Sequence, residues 1–206
     1  NALMAYFGAW CLEEAGRRNL AFVNLWGPLN EHTIARRRID PDFSLVEDAI
    51  HPQASGQFVM AFEILSQLGV EKKSADTISI TRRGNQWVGR MVDDISGGED
   101  GASLSFRHTA SSLPWVIPEK EASRDLKWGL PSDGRIGYAI TRAGHKLSAD
   151  RLKITGLAPG TYEVTIDGRI IGEWNHIALG TRVELQENEN TPQFQQALEV
   201  ALMNQR

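Results

Sequence analysis

Asp48-Ala49-Ile50-His51-Pro52 places a carboxylate three residues ahead of an imidazole, just before a helical pattern. This spacing lets both side chains face one way from a single turn. An aspartate so placed can accept a hydrogen bond from one imidazole nitrogen. It thereby fixes the tautomer and stabilises the imidazolium formed when the other nitrogen takes a proton from a nucleophile. The pair is two-thirds of a nucleophilic triad. The same spacing has a second reading, with Asp48 capping the start of the helix and His51 a partly exposed loop residue. A zinc site would need further ligands, and His32, His108, His145 and His176 show no paired spacing, so neither a metal nor another cofactor is expected.

The elements that must hold this pair read as an α/β layer. Leu3, Tyr6, Phe7, Trp10 and Cys11 follow three-four spacing and predict a helix over residues 3–15 that ends near Gly16. Leu20 to Leu25 is a short apolar run suited to a buried parallel strand. A polar loop through Pro41 follows, then a helix from Ser55 to Leu68 with Phe58, Val59, Phe62, Leu65 and Leu68 on one face and Gly69 as its stop. Helix followed by buried strand is the grammar of an α/β layer.

Beyond Lys72-Lys73-Ser74 the pattern changes to short strands at 77–81, 86–92, 103–109, 136–141, 151–155, 161–166 and 169–174, broken by turn residues. This predicts a mainly antiparallel β region. Asp167-Gly168 joins two of these strands with the residues a type I′ hairpin requires. Gly97 to Gly101 and Pro131 to Gly134 read as loops. A helix closes the chain over residues 192–204, with Pro192 in its first turn and Phe194, Leu198, Ala201 and Leu202 on one face. Two domains are expected, 1–73 and 74–206.

With 41% hydrophobic and 23% charged residues, the 206-residue chain has the balance of a folded globular protein. A net charge of −4 argues against a nucleic-acid partner, which calls for clustered Lys and Arg. Arg36-Arg37-Arg38 is followed at once by Asp40 and Asp42 and reads as a solvated loop. Cys11 is the only cysteine, which excludes an intramolecular disulfide; its place on an apolar helix face predicts burial. No apolar run approaches the ~18–20 residues of a membrane span. The start carries no signal-peptide pattern and Leu3 to Trp10 run straight into a helix, so the chain is expected to begin inside a larger parent. Its compartment is not encoded here, a secreted or periplasmic parent being one expectation. Trp87, Trp115, Trp128 and Trp174 allow an alternative function, a non-catalytic carbohydrate-binding or interaction module centred on the β region; tryptophans more often serve as core and rim.

The stretch Leu45-Val46-Glu47-Asp48-Ala49-Ile50-His51-Pro52-Gln53-Ala54-Ser55-Gly56-Gln57-Phe58-Val59-Met60-Ala61, continuing to Leu68-Gly69, resembles the last conserved block of SGNH (GDSL-type) hydrolases. That block reads D-x-x-H-P, a small residue, G-H or G-Q, then an apolar helix. Leu20 to Leu25 and Trp26-Gly27-Pro28 are similar to the family's final core strand and the loop after it. The resemblance covers about residues 3–70. It implies the closing strand and helices of a flavodoxin-like three-layer domain, with Asp48 and His51 as triad members of a serine esterase acting on a small ester or an acylated carbohydrate. A fainter similarity, in Leu152 to Tyr162, Ile166-Asp167-Gly168 and Thr191-Pro192-Gln193, is to the C-terminal extension of some large bacterial SGNH proteins and implies no site.

The family's nucleophile comes from an early G-D-S block and its oxyanion hole from that serine, a glycine and an asparagine in later blocks. This sequence contains none of these. Ser96-Gly97-Gly98 and Gly101-Ala102-Ser103 come after the histidine, and Gly27-Pro28-Leu29-Asn30 has the wrong spacing for the asparagine block. Oxyanion donors alone are worth ~10²–10³ in rate, so the chain by itself is expected to be nearly inert. An α/β layer cut before its first strands would also expose a sheet edge at residues 20–25, which predicts a homodimer or a swap of elements.

Overall fold

In the computed structural model, which describes residues 2–70, 76–118 and 134–204, the periodicities resolve into seven helices and eight strands. The chain is thus mixed α/β and ends in a helix. It divides into two compact units, residues 1–70 with 117–143 and residues 71–116 with 144–206. Lys72-Lys73-Ser74, Trp128 and Pro131 to Asp133 lie outside the described residues.

The first unit contains α1 (Ala2–Arg17), α2 (Trp26–Arg37), α3 (Ala54–Gln67) and α4 (Gly134–Thr141). α3 buries Phe58, Val59 and Phe62, residues of the face its spacing predicts. It meets α4 at a glycine: a β-carbon on Gly137 would stand 2.6 Å from the Ser55 carbonyl oxygen and 2.9 Å from the Phe58 β-carbon. Phe58 and Tyr138 add an edge-to-face contact with centroids 5.8 Å apart.

Residues 136–141 were expected as a strand and are helical. Ile136, Tyr138 and Ile140 alternate, but packing on α3 overrides that local signal. The Thr141 hydroxyl donates back to the Gly137 carbonyl at 2.8 Å.

The expected strand at Leu20–Leu25 also does not form. A parallel strand exists only through its neighbours' hydrogen bonds, and among the described residues the first unit has no strand. The Gln67 side chain takes that role instead, accepting from the Asn24 N–H and donating to the Asn24 carbonyl, both at 2.8 Å. Leu20 is exposed. The sheet edge invoked for a homodimer is therefore missing among the described residues. The polar stretch expected as a loop contains α2, whose last turn carries Arg36 and Arg37 where cations complement the helix dipole. Cys11 is exposed rather than buried, as are Leu3, Tyr6, Phe7 and Trp10 along the same helix.

The second unit is built on a four-stranded sheet in the order β2 (Gln86–Arg90), β1 (Asp76–Arg83), β5 (Asp150–Thr155), β8 (Val183–Glu184). The β1–β5 pairing at its centre is parallel and its other two pairings are antiparallel. Two separate antiparallel hairpins accompany it, β3 (Asp93–Gly97) with β4 (Leu104–Arg107) and β6 (Thr161–Ile166) with β7 (Arg169–Asn175). The second hairpin turns on Asp167 and Gly168 at φ 51° and 78°, as a type I′ turn demands. Ile78, Ile80, Leu152, Ile154, Ile171, Leu179, Val183 and Leu185 form the core.

Three helices complete this unit: α5 (Ala143–Leu147), α6 (His176–Thr181) and α7 (Pro192–Asn204). α6 starts where the Asn175 side chain accepts from the Ala178 N–H at 2.8 Å. α7 begins at Pro192 as expected, and the Thr191 hydroxyl accepts from the Phe194 N–H at 3.2 Å.

Candidate functional site

Asp48 and His51 sit in the turn that leads into α3. The turn closes through a backbone bond from the Gln53 N–H to the Leu45 carbonyl at 3.4 Å, and Leu45 itself is 1% exposed. Inside this loop Ala49 adopts φ 63°, a left-handed conformation that costs a residue with a β-carbon about 1–2 kcal/mol. Strain held at one position is a recurrent mark of functional turns.

The two oxygens of Asp48 divide the work. Oδ1 accepts from the backbone N–H groups of Ile50 and His51 at 2.9 and 2.7 Å, which anchors the carboxylate in the turn. Oδ2 meets His51 Nδ1 at 2.6 Å. An ionised carboxylate can only accept, so Nδ1 carries the proton, and in the neutral imidazole Nε2 presents its lone pair. The helix-capping reading and the triad reading are therefore served by different atoms of one side chain.

The backbone N–H of His51, then its side chain, then the backbone N–H of Ile50 hold the Asp48 carboxyl far below the usual carboxylate range. The sign follows: interactions with the ionised form stabilise the turn above the ordinary value, and that support is lost only at much lower pH. At pH 3.8, where an ordinary aspartate is half protonated, a carbon-13 NMR titration should still find Asp48 ionised. A midpoint near 3.8 would mean that the bonds to Oδ1 and Oδ2 do not persist in solution.

His51 and Asp48 are 77% and 54% exposed at their side chains. An exposed ion pair contributes little to folding, so the stability of the fold does not account for so ordered a geometry. Among the described residues the side-chain hydrogen bonds of the His51 ring end at Asp48. Gly27 to Asn30 lie in the first turns of α2, while Ser96 to Gly98 and Gly101 to Ser103 lie around the β3–β4 hairpin of the second unit. The described residues contain no cluster of three or more His, Cys, Asp or Glu side chains able to hold a metal.

A second histidine–carboxylate pair joins positions 39 residues apart, a separation that no local spacing can signal. In the second unit His145 Nδ1 lies 2.8 Å from Glu184, which also accepts from Gln186 Nε2 at 2.9 Å and faces Arg182 at 3.4 Å. Burial pulls the Glu184 carboxyl up, but the hydrogen bonds from His145 and Gln186 and the nearby charges outweigh it and bring the group below its ordinary value. Its stabilising contribution is thus present above the ordinary 4.5 and is lost as pH falls below it. Glu184 sits where β5 pairs with β8, and its lone pairs are committed to that junction. Glu184→Gln should cost about 1–2 kcal/mol at pH 7, and the penalty should shrink in melts below pH 4; an equal penalty at both pH values would assign the effect to packing.

The tryptophans of the β region do not form a platform among the described residues. Trp87 and Trp174 pack against the core, and Trp115 is half-buried. No helix among the described residues is long and apolar enough to cross a membrane.

No family model matches the chain, and no curated protein matches it. A solved structure is similar to it, that of a gut microbial diltiazem-metabolizing enzyme, at TM-score 0.80 and 26% sequence identity over 99% of this chain. The chain spans 46% of that enzyme's length.

Proposed function

We propose that this chain is the closing portion of a serine esterase of the SGNH (GDSL) class, in which Asp48 orients His51 and His51 acts as the general base. The observation that carries the reading is the 2.6 Å contact between Asp48 Oδ2 and His51 Nδ1, on a carboxylate whose other oxygen is pinned by two backbone N–H groups. The likeness to a drug-metabolizing enzyme supports an enzymatic role of hydrolase type.

In this reading the nucleophilic serine and the oxyanion donors come from the part of the protein outside these 206 residues. His51 Nε2 takes the serine proton as the oxygen attacks the ester carbonyl. It returns that proton to the departing alcohol, leaving an acyl-serine and a neutral imidazole. Water, deprotonated by the same nitrogen, then attacks the acyl carbon; the acid departs and the proton passes to the regenerated serine oxygen. The substrate class is a small ester or an acylated carbohydrate. The exposed apolar side chains of α1, Leu3, Tyr6, Phe7 and Trp10, provide a face for the portion that carries the serine to pack on.

The test is fluorophosphonate labelling of the natural protein, since that reagent marks only a serine activated by a base. Labelling of a serine outside these residues, abolished by His51→Ala, is the expected result. Failure to label, or labelling indifferent to His51→Ala, would remove the proposal.

A further inference from the structure

The four-stranded sheet of the second unit has a polar face, and its register shows what is brought together there. Ile78 and Ile80 on β1 and Leu152 and Ile154 on β5 are buried on one side. Alternate residues point the other way. On β1 these are Thr77, Ser79 and Thr81, all half-buried, followed by the exposed Arg83; on β5 they begin at the half-buried Arg151 and continue to Lys153 and Thr155, both exposed. Arg90 of β2 and Lys153 of β5 stand on either side of Ser79, and Val88 and Thr155 on either side of Thr81. Short hydroxyl side chains thus form a trough along β1, roughly 13 Å from Thr77 to Thr81, with longer side chains on strands about 4.8 Å away walling it.

Charge is sorted onto this face. The unit contains more Asp and Glu than Lys and Arg, yet among the described strand residues on this side Glu184 is the one carboxylate. It stands opposite Arg151 and is already engaged by His145, Gln186 and Arg182. Among the described residues Arg83, Arg90 and Lys153 form no salt bridge, and the hydroxyls of Thr77, Ser79 and Thr81 make no hydrogen bond within the chain. A sheet with a parallel pair at its centre ordinarily has both faces covered. Val88 is the one apolar residue among the described strand residues of this face, so what covers it is held by charge and hydrogen bonds.

We infer, independently of the chemistry at Asp48 and His51, that this face binds an acidic oligosaccharide, a chain of uronic acid units laid along β1. Its carboxylates pair with Arg90, Lys153 and Arg83, and its ring hydroxyls exchange hydrogen bonds with Ser79 and Thr81. A serine or threonine hydroxyl both donates and accepts, as a sugar hydroxyl does. The two group types together select the partner. A nucleic acid calls for a broad basic surface on a basic domain, and a protein partner for an apolar centre to the interface; this face provides neither.

The test is calorimetry on the intact protein at low salt with hexagalacturonate, maltohexaose and hexaglutamate. Hexagalacturonate should bind at least about tenfold more tightly than maltohexaose, which lacks the carboxylates, and than hexaglutamate, which lacks the hydroxyls. Lys153→Gln and Arg90→Gln should each weaken it about 3- to 10-fold and lessen its dependence on salt. Ser79→Ala should weaken it about 2- to 5-fold and leave that dependence unchanged. Glu163→Gln, on the β6 hairpin, is the control and should change nothing. Lys153 and Arg90 are exposed and unpaired among the described residues, so their variants fold; should Ser79→Ala unfold, those two still decide. Absence of binding, equal or tighter binding of maltohexaose or hexaglutamate, or indifference to Lys153→Gln, Arg90→Gln or a folded Ser79→Ala would overturn the inference.

Discussion

If the proposed esterase chemistry holds, His51→Ala, made in the intact protein, is expected to lower kcat/KM for p-nitrophenyl acetate by about 10⁴-fold or more, because the proposed base would no longer serve the serine. Asp48→Asn separates the two duties of the carboxylate. The amide oxygen can still accept from the N–H groups of Ile50 and His51, so the turn survives. The amide nitrogen, however, donates where Oδ2 accepted, which drives the proton from Nδ1 to Nε2 and leaves no lone pair for the serine. A loss of about 10³–10⁴-fold is expected with Tm almost unchanged, since the pair is exposed and supports the fold little. Asp48→Ala should lose both activity and order in the turn. Activity of His51→Ala within a few-fold of the parent would mean that another residue is the base.

Elements whose signals are local were readable from sequence. The α3 stripe, the start at Pro192 and the Asp167-Gly168 turn each state their structure within a few residues. Elements that depend on distant partners were not. Leu20 to Leu25 has the composition of a buried strand, but composition cannot supply a neighbour, and the Gln67 side chain satisfies Asn24 instead. Residues 136–141 alternate like a strand, and only contact between Gly137 and α3 explains the helix. β3 was missed because Asp93 and Asp94 are poor strand formers; Asp94 takes φ 49° at a register shift against β4. At the candidate site the three-residue spacing foretold that Asp48 and His51 could meet. It could not foretell that one oxygen would hold the turn while the other held the imidazole, nor that Ala49 would bear the strain.

Gly56→Ala is expected to damage stability and the site together, against the usual gain of about 0.5–1 kcal/mol for alanine over glycine within a helix. A β-carbon at Gly56 would fall inside the contact radius of the Leu45 carbonyl oxygen and stand 3.0 Å from the Pro52 β-carbon. The obstacle is backbone, and it has little freedom to retreat. Leu45 is 1% exposed, and its carbonyl accepts from the Gln53 N–H, which closes the loop carrying Asp48 and His51. Relief must come from parting α3 and that loop, at a net cost of about 1–3 kcal/mol and a fall in Tm of several degrees. The loop carries His51 with it, and for the proposed base a displacement near 1 Å is enough to cost about 10² in rate. Gly8→Ala is the control, since a β-carbon there meets nothing within 4 Å and should raise Tm slightly. If Gly56→Ala instead behaves like Gly8→Ala in melts and in esterase assay, the contact between Leu45 and Gly56 is not what positions His51.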